Sequence, residues 1–481
     1  MLRHGPLVQH FLWRWLSGMR SLSTVLIIFS LAASSPALPA SKDDSAADWL
    51  PFIPKAVKDW RDELADKGLA LFSSYVGDTI RNASGGIKRG TIYEGRFDLT
   101  IEADLDKLAG WSNTKIHADV FQSHGKGLTK NYVGNIAPIS EIEALPTTRL
   151  YELWIEHSLL GDSVSIKVGQ QAADVEFFDS ETDDLFINNT FGWPAIMASN
   201  LPAGGPSPPL AALGVRVKAK LSEHFTAFAA IFDGDAAGPG PLDQDPQSRN
   251  RYGLNFRAKD PPWTIGQIKY DYDLEIGNHT LPGNITPGGW FHAGQFDDQR
   301  FTAEGLSRAD PTGSGVPIKL RRNTGMFAVV EQTLYRPNSV KDKGVSNSVP
   351  GITAFARVAF SPSDRNVIDF YADSGFGVVG LVPNRPNDRI GAAIAYMHIS
   401  PVAQQLDRDG QLYTGIASPV RSAETLVEII YEAHLKPGWL LAPYFQYVIR
   451  PSGGVPSPTD PSGLSRIGNA AVFGLTTTLK Y

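Results

Sequence analysis

The 481 residues include no cysteine. Disulfides, thiolate zinc sites and iron–sulfur clusters are therefore excluded. A basic stripe is missing too: 44 Lys and Arg against 50 Asp and Glu give a formal net charge of −6. Without a Lys/Arg cluster, nucleic acid is not an expected partner. There is also no apolar run of roughly 20 residues, the length a membrane-spanning helix requires. Nor is there a catalytic constellation. The ten histidines are scattered, and His292, His398 and His434 fall in expected strands with no Gly-x-Ser-x-Gly nearby. The chain is not expected to be an enzyme, and no cofactor is implied.

What is present begins with an export pattern. Residues 24–33 are apolar, with Arg3, Arg14 and Arg20 before them and small residues after. That is the layout of a secretory signal peptide, assigned here to residues 1–40. Cleavage after Ala37 or Ala40 fits, and Met19 is a candidate true start, because Met19 to Ser23 leads straight into the apolar run.

The dominant period is two. In 92–105, Tyr93, Gly95, Phe97, Leu99, Ile101, Ala103 and Leu105 alternate with Glu94, Arg96, Asp98, Thr100, Glu102 and Asp104. Period two puts successive side chains on opposite faces of a strand. In 151–159, Tyr151, Leu153, Ile155 and Leu159 oppose Glu152, Trp154, Glu156 and Ser158, with His157 an exception on the apolar side. Similar alternation occurs in 213–221, 250–259, 427–435 and 473–481. Spans of about ten residues suit tilted membrane strands with lipid outside and water inside. A soluble β-sandwich with its core on the apolar face would give the same alternation. The aromatic Tyr481, on an alternating strand, favours the barrel, since barrel assembly machinery reads such an end.

Pro/Gly-rich stretches at 202–209, 236–246, 309–317 and 451–463 mark long loops, while 361–363 and 436–438 mark short connections. Residues 54–67 predict a short helix, with Pro54 in its first turn and Gly68 after its end. The expected organisation is a signal peptide (1–40), a short helical segment (41–70) and an all-β transmembrane antiparallel barrel (71–481).

Several stretches carry a family resemblance: Lys167-Val-Gly-Gln-Gln171 leading to Glu176-Phe-Phe178, Phe186-Ile-Asn-Asn-Thr-Phe-Gly-Trp-Pro194 and Tyr252-Gly-Leu-Asn-Phe256. Gly289 to Asp298, Ala328 to Tyr335, and Phe445 to Ile449 with Gly453 and Gly454 follow in order. From about residue 70 to 481 the chain resembles the carbohydrate-selective porins of the outer membrane, the OprB family. The resemblance implies about sixteen antiparallel strands and passive diffusion of mono- or small oligosaccharides. It leaves the monomeric or trimeric state open.

A pore that prefers sugars needs donors, acceptors and aromatic surface, and must bind weakly enough to release. Glu94, Arg96 and Asp98 lie in a row on the polar face of one strand; Arg216, Arg257, Glu331 and Arg357 are further wall candidates. Asn188, Asn189, Phe191 and Trp193 are candidates for an inward-folded constriction, although Trp193 would equally suit an interfacial belt. Glu176, Asp179, Glu181, Asp183 and Asp184 carry the oxygen donors calcium prefers, but read first as a solvated acidic loop, and no metal site is assigned. The competing functions are a general porin, a barrel adhesin or receptor, and a secreted soluble carbohydrate-binding or hydrolytic protein.

Overall fold

The computed structural model describes residues 55–241, 244–277, 279–337 and 349–481. The signal-peptide assignment, Met19 and both cleavage positions lie outside these residues. A helix, α1 (Lys55–Asp66), precedes the strands, within the span predicted for it. The strands are β1 (Leu69–Gly86), β2 (Gly90–Asp104), β3 (Thr114–Gly125), β4 (Thr147–Leu159), β5 (Val164–Gln171), β6 (Ala212–Lys220), β7 (Phe225–Phe232) and β8 (Trp263–Ile276). They continue as β9 (His279–Thr302), β10 (Pro317–Tyr335), β11 (Gly351–Phe360), β12 (Ile368–Val379), β13 (Arg389–Ile399), β14 (Ala423–Lys436), β15 (Trp439–Ile449) and β16 (Gly468–Lys480). Each pairs antiparallel with its sequence neighbours, and β1 pairs with β16 from Ser74 opposite Lys480 to Gly86 opposite Gly468. The barrel is thereby closed. Closure leaves no strand edge unpaired, which a lipid environment demands.

Exposure separates the barrel from the sandwich. On β4, Leu153 and Ile155 are 39% and 36% exposed, whereas Glu152 and Glu156 are 8% and 9% exposed. A soluble sandwich would bury the leucines and expose the carboxylates. Here the apolar face points outward and the charged face inward, around the whole wall. β2 behaves as predicted: Arg96, Asp98, Thr100, Glu102 and Asp104 face the lumen. In β4 one prediction fails. The register slips between Asp119 and Val120, which lie opposite Glu152 and Leu150. A bulge adds one residue and moves its side chain to the other face, so Tyr151 turns into the lumen rather than outward with Leu153.

Residues 250–259 are also not a strand. They follow the short helix α5 (Pro246–Arg249) as irregular chain docked on the end of β4. The Leu150 amide donates to the Tyr252 carbonyl at 3.0 Å, and the Arg149 guanidinium donates to the Arg251 carbonyl at 3.2 Å. Gly253, at φ +68°, permits this approach: a β-carbon there would lie 1.8 Å from the Leu150 carbonyl oxygen. The backbone groups that a strand would have paired are thus spent on β4 and on Asp233, which accepts from the amides of Lys259 and Asp260.

The connections sort by rim. On the side of α1 they are short, as at 160–163, 221–224 and 437–438. The rim carrying α2 (Leu105–Ala109) is this same side. On the other side most are long: 126–146, 172–211, 233–262 and 450–467, with α6 (Pro401–Thr414) between β13 and β14, while 87–89 and 361–367 are short. Long loops mark the outward-facing rim of such barrels.

Candidate functional site

The 172–211 connection does not leave the barrel. It folds into the lumen as a plug containing α3 (Asn189–Gly192) and α4 (Ala195–Asn200). Its aromatic and aliphatic residues, Phe177, Phe178, Phe186, Phe191, Ile196 and Met197, pack with Trp263, Phe327, Phe355 and Tyr371 from the wall. Burying each large side chain contributes about 1.5–3 kcal/mol. The apolar core is therefore inside the barrel, on one side of the lumen.

Polar anchors hold this plug. Glu331 on β10 accepts from the Thr182 amide at 2.8 Å and from the Ser180 hydroxyl at 3.0 Å. Glu428 on β14 accepts from the amides of Ile187 and Asn188 at 2.7 and 3.0 Å. Arg357 on β11, fully buried, pairs with Asp183 at 2.6 Å and Asp373 at 2.5 Å, and donates to the carbonyls of Phe178 and Thr190. A second inserted loop, 126–146, is tied down by Glu424 on β14, which accepts from the Ile136 amide at 2.9 Å. Hydrogen bonds to charged groups contribute about 1.5–3 kcal/mol each. Buried carboxylates that accept backbone amides pair donors that non-repeating chain leaves orphaned.

The plug leaves a cavity of about 1230 Å³ lined by β1 to β10, with most of its wall residues on β2 to β6. One wall is a column of stacked groups. The Arg96 guanidinium forms a forked pair with Asp98 at 3.1 and 3.3 Å and lies 4.3 Å above the Phe121 ring. Phe121 stacks on Tyr151 at 4.2 Å between centroids. Further along, His117 stacks on Trp154 at 4.6 Å, with Lys167 4.9 Å from the Trp154 ring. Lys167 pairs with Glu176, and Arg216 bridges Glu176 at 2.7 Å to Glu156 at 2.8 Å. Burial alone would raise the Glu176 carboxyl, but Lys167 and Arg216 outweigh it and hold the group below the ordinary carboxylate range.

The opposite wall is the acidic stretch of the plug. Burial, reinforced by the Asp184 charge, pushes Asp179 up to about 8. Burial and Glu331 push Glu181 to about 7. Carboxylate oxygens of Asp179, Asp183 and Asp184 lie within 4.8 Å of one another, but Arg357 already supplies Asp183 with a cation. The solvated loop expected here is corrected for Asp183, which is 1% exposed, while Glu181 and Asp184 are exposed.

Of the site residues expected from sequence, Arg96, Asp98, Asn189 and Trp193 line the cavity, as do Arg216 and Glu331. Glu94 shares their strand face but is buried beyond the cavity's lining. Asn188 caps α3 through the Thr190 amide, and Phe191 packs against Phe186 within the plug. Trp193 donates to the Gly204 carbonyl at 2.8 Å and is 1% exposed, within the plug rather than at an outer belt. Arg257 stands apart on the outer loop, paired with Asp260 at 2.8 Å. Sequence reasoning missed Phe121, Tyr151, His117 and Trp154 as cavity groups. The odd positions of 115–121, Lys-x-His-x-Asp-x-Phe, carried the signal for two of them.

Comparison with known proteins agrees with this architecture. The family model "Carbohydrate-selective porin, OprB family" matches residues 88–481. Porin B of Pseudomonas aeruginosa is 23% identical over 95% of this chain and 96% of its own length. A porin named QuiX from Acinetobacter baylyi, itself a provisional assignment, is 21% identical over 94% of this chain and 99% of its own. The high-pH structure of Pseudomonas putida OprB superposes with a TM-score of 0.75 at 20% identity, covering 88% of this chain and 97% of that one. The family match spans most of the chain, and the closed barrel has the sixteen strands expected from the resemblance, so the protein belongs to the carbohydrate-selective porins of the outer membrane, the OprB family.

Proposed function

We propose that sugars diffuse through the cavity between the plug and β2 to β6, and pause on the column formed by Arg96, Asp98, Phe121 and Tyr151. The observation that carries this reading is the placement of a forked ion pair on a two-ring stack in the cavity lining. A sugar offers hydroxyls to the guanidinium and carboxylate, and its weakly apolar C–H groups to the ring edges that the stack leaves toward the cavity. The ion pair and rings are already held by one another, so little ordering is needed on contact. Contact on one wall keeps binding weak, as conduction requires. Trp154 with His117, and Asn189 and Trp193 across the cavity, extend the lining.

The test is a sugar titration of single-channel current. Arg96→Gln and Tyr151→Ala are expected to raise the half-blocking sugar concentration about 2- to 10-fold, the equivalent of roughly 0.5–1.5 kcal/mol for one ring contact. Unchanged half-block in both variants would remove the column from the binding site and favour a general porin on the same scaffold.

A further inference from the structure

The outward rim of β1 to β3 carries cations that no acid balances. Odd-numbered residues of β1 face outward, since Phe72 and Ser74 line the cavity. Arg81 is therefore on the lipid side, exposed, next to Phe473 of β16 by register and 3.4 Å from the Thr91 hydroxyl. Lys126 follows β3, where its amide donates to the Tyr93 carbonyl at 3.1 Å. Lys126 is exposed just beyond the outer end of β3. Arg89 is exposed at the tip of the β1–β2 hairpin. Level with these cations by register lie the exposed rings of Tyr93 and Phe473, at 46% and 53%. Aromatic residues at this level mark the membrane interface, which places the cations at headgroup height.

Four other cations at this rim are neutralised within the chain: Arg257 by Asp260, Arg300 by Asp409, Arg365 by Asp364 and Arg421 by Asp407, at 2.7–2.8 Å. Arg81, Arg89 and Lys126 form no ion pair among the described residues. The acids nearest in sequence, Asp78 and Glu94, are buried toward the lumen.

We propose that Arg81, Lys126 and Arg89 form a binding site for the phosphate groups of an outer-leaflet glycolipid, with its acyl chains against the Tyr93 and Phe473 rings. Arg offers a phosphate a planar fork and Lys a point charge. Each cation near an anionic lipid surface is expected to strengthen binding about fivefold.

The experiment is native mass spectrometry of the detergent-purified full-length protein titrated with a bisphosphorylated glycolipid, its dephosphorylated form, and inorganic phosphate. The wild type should hold the phosphorylated lipid at least tenfold more tightly than the dephosphorylated one. An Arg81→Gln/Lys126→Gln variant should lose roughly 25-fold, while Lys319→Gln, which removes a paired rim cation, should lose little. Equal affinity for the two lipids, in wild-type protein and so independently of any folding defect, would overturn the proposal. So would an unchanged double variant. Displacement of the lipid by low-millimolar inorganic phosphate would overturn the assignment to lipid and leave a site for free anion.

Discussion

Arg357 shows how one residue sets the pore. It is fully buried, pairs with Asp183 of the plug and Asp373 of the wall, and binds two plug carbonyls. Removing one partner of such a group costs about 3–5 kcal/mol, because the other charges stay buried and unpaired. Arg357→Met is therefore expected to release the plug and raise single-channel conductance, with a noisier open state. Wild-type conductance from a folded variant would show that Glu331, Glu428 and the aromatic packing hold the plug without it. At this scale the sequence was partly legible. The alternation of Glu94, Arg96 and Asp98 placed three charges on the inner face. It could not show that Glu94 is buried away from the cavity, because that depends on a loop contributed from elsewhere in the chain. Asn188 and Phe191 were singled out as solute contacts from their types, yet both are buried within the plug, one as a helix cap and one as packing.

Single elements carry the pH response. Asp179 and Glu181 ionise at about 8 and 7 because the folded plug buries them near Asp184 and Glu331, with Arg357 and Lys269 only partly compensating. Their pKa values in the folded loop lie above those of a free carboxyl, so the folded plug holds protons that a released plug would lose. The plug is then most stable below the ordinary carboxylate range. It loses stability as pH rises, with the cost complete above about 8. Amide hydrogen exchange at Thr182 and Ile187, corrected for the intrinsic pH effect, is expected to be faster at pH 9 than at pH 6. Slower or unchanged exchange would contradict that ordering. The strands themselves were readable wherever alternation was regular, as in β2. The bulge at Tyr151 and the docked segment 250–259 were not, because each is decided by what lies across from it: one extra residue against Asp119, and backbone groups drawn to Arg149 and Asp233.

Taken as a whole, the molecule is a closed wall with an acidic passage. The cavity is lined by fifteen carboxylate side chains and seven Lys or Arg. Leaving out the five loop carboxylates that burial raises, Glu141, Asp174, Asp179, Glu181 and Asp183, acids still outnumber bases. A pore of this sign favours cations, and more so at low salt, where screening is weaker. In a tenfold potassium chloride gradient the zero-current potential is expected to carry the sign set by potassium, and to fall toward zero in Glu152→Gln/Glu102→Gln. A chloride-set sign in the wild type would mean that Lys115, Lys218, Lys220 and Lys269 govern the path instead.

The central claim is that the space left by the plug is a sugar path with a weak binding wall. It is tested most directly by single-channel recording of the purified protein in a planar bilayer while glucose, maltose and sucrose are titrated in. The account predicts steady open channels whose current falls saturably with at least one sugar. Open channels indifferent to every sugar, or no channels from folded protein, would contradict it.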